Sequence, residues 1–206
     1  MLRTTAIAVA ALIAGGVSVQ AQDAPMTFFI TSTGPGDGAN LGGLAGADAH
    51  CQALAEAAGR GDATWRAYLS TAEENARDRI GDGPWHSANG ALIASNLAEL
   101  HGEENAISKA TALDETGAVV SGRGDDPNRH DILTGSNAEG TFSGDDCAGW
   151  TSSGDGAATV GHHDRMGPDT LATATSWNSA HPSRGCSQDA LAQSGGAGLL
   201  YCFAAD

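Results

Sequence analysis

The chain has 206 residues, with 25 Asp and Glu against 10 Lys and Arg, for a formal charge of −15. That length suits one domain, or one domain with a tail. A chain this acidic lacks the clustered Lys and Arg that nucleic-acid phosphates or an anionic membrane surface require, so neither partner is expected.

Met1-Leu2-Arg3 is a short basic start, and Thr4 to Val19 is an apolar run broken only by small residues. Its strongly apolar part spans about 14–16 residues, short of the roughly 20 that a membrane-spanning helix needs. Val19-Gln20-Ala21 has the small-x-small form of a cleavage site. Residues 1–21 are therefore expected to be a signal peptide, with the mature chain secreted to the periplasm or the medium. No cysteine stands at the cleavage point to suggest a lipoprotein.

From Gln22 onward, Leu, Ile, Val and Phe together number only 25. So thin an aliphatic supply in a highly charged chain borders on the composition of disorder. Two features offset it. Trp65, Trp85, Trp150 and Trp177 each supply a large burial area. Cys51, Cys147, Cys186 and Cys202 are even in number and bound for an oxidising compartment, which predicts two disulfides. Spacing alone leaves three connectivities open. No two of these cysteines lie within a C-x2-4-C step, so a cysteine-held zinc is disfavoured.

In chain order, Met26 to Ser32 reads as a strand and Gly34 to Gly43 as a glycine-rich loop. Ala45 to Ala58 reads as a helix with Ala47, Cys51, Leu54 and Ala58 on one face, stopped by Gly59 and Gly61. Trp65 to Ser70 reads as a second strand. Short apolar pieces follow at residues 91–94, 118–120, 131–134, 148–151 and 157–160, with one or two helical turns over 96–100. Gly198 to Ala204 closes the chain. One main helix near the start followed by many short strands in long loops predicts an α+β fold with mixed or antiparallel sheet. No linker divides residues 22–206, which read as a single domain.

Asp146-Cys147-Ala-Gly-Trp150-Thr, then Trp177-Asn178, Cys186 and Leu200-Tyr-Cys202-Phe resemble the C-type lectin-like fold, and within it the endostatin-like branch and its secreted bacterial relatives. Asn40 to Cys51 is similar to the first helix of those relatives. The likeness covers roughly Met26 to Asp206. It implies nested disulfides, Cys51 with Cys202 and Cys147 with Cys186. It also implies a lectin-like role, and the residues themselves show no Gly-x-Ser-x-Gly elbow and no carboxylate pair that spacing singles out, so no enzyme is expected.

Calcium-dependent members of that family bind sugar through a carboxylate-or-amide, Pro, amide triplet and a later Trp-Asn-Asp. Calcium takes six to eight oxygens, which such side chains and sugar hydroxyls supply. Asp126-Pro127-Asn128 and Trp177-Asn178-Ser179 stand in those places, so Asp126, Asn128 and Asn178 are the expected calcium ligands. Asp126 is a methylene shorter than the usual Glu, and Ser179 replaces a carboxylate. Zinc is the lesser expectation. Gly161-His162-His163-Asp164 is the densest metal-capable cluster, and on a strand His162 and Asp164 share a face, with His181 as a distant third ligand and His130 elsewhere. No His-Glu-x-x-His pattern accompanies it. Trp177, Asn178, His181 and Arg184 concentrate aromatic, amide, imidazole and guanidinium chemistry beside Cys186, which suits a sugar or carboxylate ligand or a loop-ordering ion pair. Arg123-Gly124-Asp125 is a tripeptide that this composition produces by chance. The sequence thus predicts a secreted binding protein for a glycan, with a protein-binding envelope module second and a metal-dependent hydrolase third.

Overall fold

A computed structural model describes residues 24–206; the expected leader lies outside them. The elements are β1 (Phe28–Ile30), α1 (Gly43–Ala57), β2 (Trp65–Ala67), a 3-10 turn (Ala76–Asp78), β3 (Trp85–His86), β4 (Leu92–Ala94), α2 (Leu97–Leu100), β5 (Asp131–Leu133), α3 (Cys147–Trp150), β6 (Thr159–His162), β7 (His181–Pro182), α4 (Gln188–Ser194) and β8 (Gly196–Ala204). The expected α+β character, short strands and two disulfides are all present.

Nine-residue β8 organises the sheet. Its second half pairs antiparallel with both β1 (Phe29↔Cys202) and β2 (Ala67↔Cys202), and its first half pairs parallel with β5 (Leu133↔Leu200). β6 and β7 continue outward from β5, while β3 and β4 form a separate two-stranded sheet. Side chains alternate across a strand. Leu199, Tyr201 and Phe203 therefore join Phe28, Ile30, Tyr68, Trp85 and Trp177 in one apolar cluster. Leu200, Cys202 and Ala204 join Phe29, Trp65, Ala47, Cys51 and Trp150 in another. All four tryptophans are buried, so the aromatic supply does form the core.

The disulfides are Cys51–Cys202 and Cys147–Cys186, with Cα–Cα separations of 5.7 and 5.8 Å. The first staples α1 to β8 across 151 residues of chain. α1 is further fixed by Asp48, which accepts from the Ala67 backbone N–H (2.9 Å), from Arg66 (2.7 Å) and from Arg79 (2.7 and 2.8 Å). The Arg79 side chain is itself buried and also reaches Glu74.

Residues 118–120 form only an isolated bridge, β3 and β7 arise where no strand was expected, and two further elements differ more deeply. Residues 148–151 form no strand: Cys147, Ala148, Gly149 and Trp150 make one left-handed turn, with φ of 51°, 58°, 65° and 65°. That region costs a non-glycine residue about 1–2 kcal/mol. Three attachments hold it there. Cys147 is bridged to Cys186, the Asp146 carboxylate accepts from the Gly149 N–H, and the buried Trp150 indole donates to the Ser70 carbonyl at 3.0 Å. α4 appears where only a loop was expected. Ser187 caps it by accepting from Ala190 N, and Gly195 at φ 117° ends it. Its one buried residue, Leu191, leaves too little apolar periodicity to read.

Asp48→Ala leaves the buried Arg79 guanidinium without its main partner. It is expected to cost about 3–5 kcal/mol, because an uncompensated buried charge is penalised heavily. Chemical denaturation of the mature protein checks this. A loss below about 1 kcal/mol, the range of a surface pair, contradicts it.

Candidate metal centre

β5, β6 and β7 lie side by side at one edge of the sheet. Antiparallel register sets Asp131 directly opposite His162, and Val160, two residues back along β6, opposite His181. Residues directly opposite and diagonal on one face are within side-chain reach. His130 immediately precedes β5, and the β5–β8 pairing is irregular between Asp131 and Ile132. This local break lets neighbouring residues depart from strict alternation.

The result is a convergence of donors. Asp131 Oδ1 lies 3.2 Å from His130 Nε2, 3.2 Å from His162 Nε2 and 3.7 Å from His181 Nε2. The His162 and His181 Nε2 atoms are 3.0 Å apart, and the rings of His130 and His162 stack at 4.1 Å. Donor atoms of His130, Asp131 and His162 all fall within 4.8 Å of one another. His181, with a quarter of its side chain exposed, joins from the solvent side.

Every ring is fixed by its other nitrogen. His130 Nδ1 faces Asp164 Oδ1 at 3.2 Å, His162 Nδ1 the Ala174 carbonyl at 2.7 Å and His181 Nδ1 the Pro182 carbonyl at 3.0 Å. Carbonyls and carboxylates only accept, so each Nδ1 carries the hydrogen. In the neutral imidazoles, each Nε2 then presents a lone pair to the same point. Oxygen acceptors behind Nδ1 are the usual second layer of a histidine metal ligand. The Asp131 carboxylate is fully buried, yet neither oxygen has a hydrogen bond of proper geometry. A buried carboxylate without donors is costly, and three lone pairs aimed at it do not relieve it. A cation does.

The electrostatics favour positive charge at this point, whether an imidazolium proton or a metal ion. Burial disfavours the charged His162, but the Asp131 carboxylate, the Ala174 carbonyl and Asp164 outweigh it and raise its pKa. Burial also works against the Asp164 carboxylate. Donation from His130 and from the backbone N–H of Arg123 and Met166 nevertheless holds it below the usual range. His163 points elsewhere: its Nε2 meets the Ser121 carbonyl, and burial lowers its pKa.

Glycine is required at the strand behind the site. A Cβ on Gly161 would come within 1.7 Å of the Trp177 carbonyl oxygen. The close approach lets the 176–180 segment lie against β6, with His162 N–H donating to Ser176 O and Ala180 N–H to Val160 O.

The expected residues are distributed as follows. His162 and His181 meet at the site, whereas Asp164 stands behind His130 instead of facing the common point. His130 was visible only as an isolated histidine, and Asp131 was missed. Its only signal is its place beside His130 at the start of an apolar strand. The calcium set is not assembled. Asn178 is buried, and its Nδ2 donates to the Tyr68 hydroxyl (3.0 Å) and to the carbonyls of Asn137 and Ala138 (3.1 Å each). Its Oδ1 accepts from Ser176. Asp126 is exposed after Asp125, and Asn128 Oδ1 accepts from the His130 N–H. The amide that a calcium site needs is thus spent in the interior. Trp177 is core, tilted against Tyr68 at 4.8 Å and edge-on to Tyr201 at 5.3 Å. Arg184 makes no ion pair among the described residues and is exposed at the mouth of the histidine cleft. The chain matches no protein-family model and no curated protein.

Gly161→Ala is expected to lower stability by about 1–3 kcal/mol through overpacking, read as a fall in Tm. Asp164→Asn, which weakens the anchor of His130, is expected to reduce the affinity of this donor set for a divalent transition-metal ion about 10–100-fold by calorimetry.

Proposed function

We propose that this chain is a secreted, disulfide-stapled binding domain of C-type lectin-like architecture that takes its extracellular ligand at a transition-metal ion held by His130, Asp131, His162 and His181. One observation carries the reading. Three imidazole Nε2 atoms, each oriented from behind by an oxygen acceptor, converge on a buried carboxylate that has no hydrogen-bond donor.

The donor set selects the metal class. Imidazole nitrogens with one carboxylate suit zinc and its neighbours, whereas calcium demands a cage of oxygens. In a tetrahedral zinc site with bonds of roughly 2.0–2.1 Å, ligand atoms stand roughly 3.3 Å apart. The separations of 3.0, 3.2 and 3.7 Å found here bracket that value. His181 is the exposed member at the fourth position, and a ligand reaches the ion beside it as a fifth donor.

The lectin-like architecture is supported by the nested bridges, by the stapling of α1 to the final strand and by the pairing of the first strand with the last. Secretion is supported by the same two disulfides. Among the described residues no helix is long and apolar enough to cross a membrane. Binding is favoured over hydrolysis because no carboxylate lines the cleft above the histidines. Asp131 and Asp164 both lie beneath it, against imidazoles, so neither is placed to activate a water at its mouth.

Untagged mature protein, stripped with EDTA and titrated with zinc, is expected to bind one equivalent. At a hundredfold excess over Kd, zinc should add about 2.7 kcal/mol of stability. Calcium should add none. His162→Ala and His130→Ala are expected to abolish the zinc-induced rise in Tm while leaving both disulfides formed. A wild-type protein that takes up no stoichiometric zinc overturns the reading.

A further inference from the structure

The histidines form the floor of a cleft of about 330 Å³. Its rim carries Arg123 and Arg184, and Pro168, Leu171 and Pro182 form apolar walls. No Asp or Glu lines it, in a chain with 25 of them.

The two arginines are unusual in this protein. Arg60, Arg66, Arg79 and Lys109 are ion-paired to carboxylates. Arg77 donates to the Glu139 carbonyl, and Arg165 is pinned to Ile107 O, Thr175 O and Asn105. Among the described residues only the guanidiniums of Arg123, Arg129 and Arg184 have no such partner. Two of these three face one cleft. Their backbones, by contrast, are held: Arg123 N–H donates to Asp164 Oδ2 at 2.6 Å and Arg184 N–H to Ser194 Oγ at 2.9 Å. A rigid backbone beneath an unpaired guanidinium places a cation without neutralising it.

We infer that this cleft binds a small organic oxyanion, a carboxylate or phosphate on a sugar-sized carbon skeleton, clamped by Arg123 and Arg184 above the metal ion. The inference rests on the metal reading above. The charge of a divalent ion is met by Asp131 and, one layer back, by Asp164, so the positive charge of the cleft is carried by its two arginines, whose planar forks match carboxylate and phosphate oxygens. The proline and leucine walls suit a carbon skeleton over a bare inorganic ion. A volume near 330 Å³ is at the lower end for small-molecule sites, the size of one monosaccharide unit. The low charge density of a neutral sugar would leave both guanidiniums unused.

The test is calorimetric titration of zinc-loaded mature protein with glucuronate, glucose 6-phosphate and glucose, with zinc content measured on every sample. Variants are the double substitution Arg123→Ala/Arg184→Ala and, as a control arginine elsewhere, Arg129→Ala. The wild type should bind at least one of the two anionic sugars, and whichever binds more tightly assigns the carboxylate or the phosphate source. Glucose should not compete. The double variant should keep one zinc and lose about tenfold or more in affinity, the effect of removing charge-assisted hydrogen bonds. Arg129→Ala should match the wild type. Zinc absent from the wild type overturns the metal reading and this inference with it. Zinc present with uptake of neither anion, with equal uptake of glucose, or with an unaffected double variant overturns this inference alone.

Discussion

Strand β8 is the constraint on which the rest of the structure depends. It pairs with β1, β2 and β5, and its two faces feed two separate apolar clusters. A chain with so few aliphatic residues cannot bury them in many places. It gathers them against the two faces of one strand, with tryptophans and tyrosines supplying the area that Leu, Ile and Val do not. Cys202 lies fully buried in the second half of this strand, so the bridge to Cys51 closes the longer of the two disulfide loops inside the core. In the chain-entropy account such a closure contributes several kcal/mol by restricting the unfolded chain.

The site is a consequence of that strand. β8 fixes β5 by parallel pairing, β5 fixes β6, and β6 fixes β7. Three histidines and an aspartate from distant parts of the chain are thereby brought to one sheet edge. Their arrangement resists explanation by packing alone. A buried carboxylate is tolerated when donors or a cation face it, and here Asp131 has no hydrogen bond while three imidazoles surround it. The polar groups behind the rings are in order, while the groups in front of them are not. An incomplete inner layer inside a completed outer layer is the pattern expected of the metal site proposed above. The unpaired Arg123 and Arg184 at the cleft extend the same logic outward: apart from Arg129, the other described basic side chains are paired or pinned.

Much of the fold was legible in the residues. The strand before the first glycine-rich loop, the helix that carries Cys51, the strand at Trp65, the short helix capped by Asn96 and the closing strand each carry a local signal: periodicity, a cap or a β-branched and aromatic run. The turn at Cys147–Trp150 was not legible. Its left-handed backbone is imposed by a disulfide partner 39 residues away and by burial of Trp150, and neither leaves a local mark. The site was half legible. His162 and His181 stand out by residue type, but Asp131 reads as one acidic residue among 25 and is singled out only by strand register. Trp177 and Asn178 show the opposite case, since residue types that suit a ligand are here consumed by the Tyr68 and Tyr201 cluster.

Local residue pattern set the supply: two disulfides' worth of cysteine, four tryptophans, a helix, short strands and a handful of histidines in an acidic chain. Composition and local pattern are properties of neighbouring residues, and neighbouring residues report them. Which histidines meet, which carboxylate they meet and which arginines remain free were decided by tertiary structure alone. Antiparallel pairing across β5, β6 and β7 sets those distances, and register is fixed by burial of the whole sheet on β8, a condition that no single segment of the chain contains.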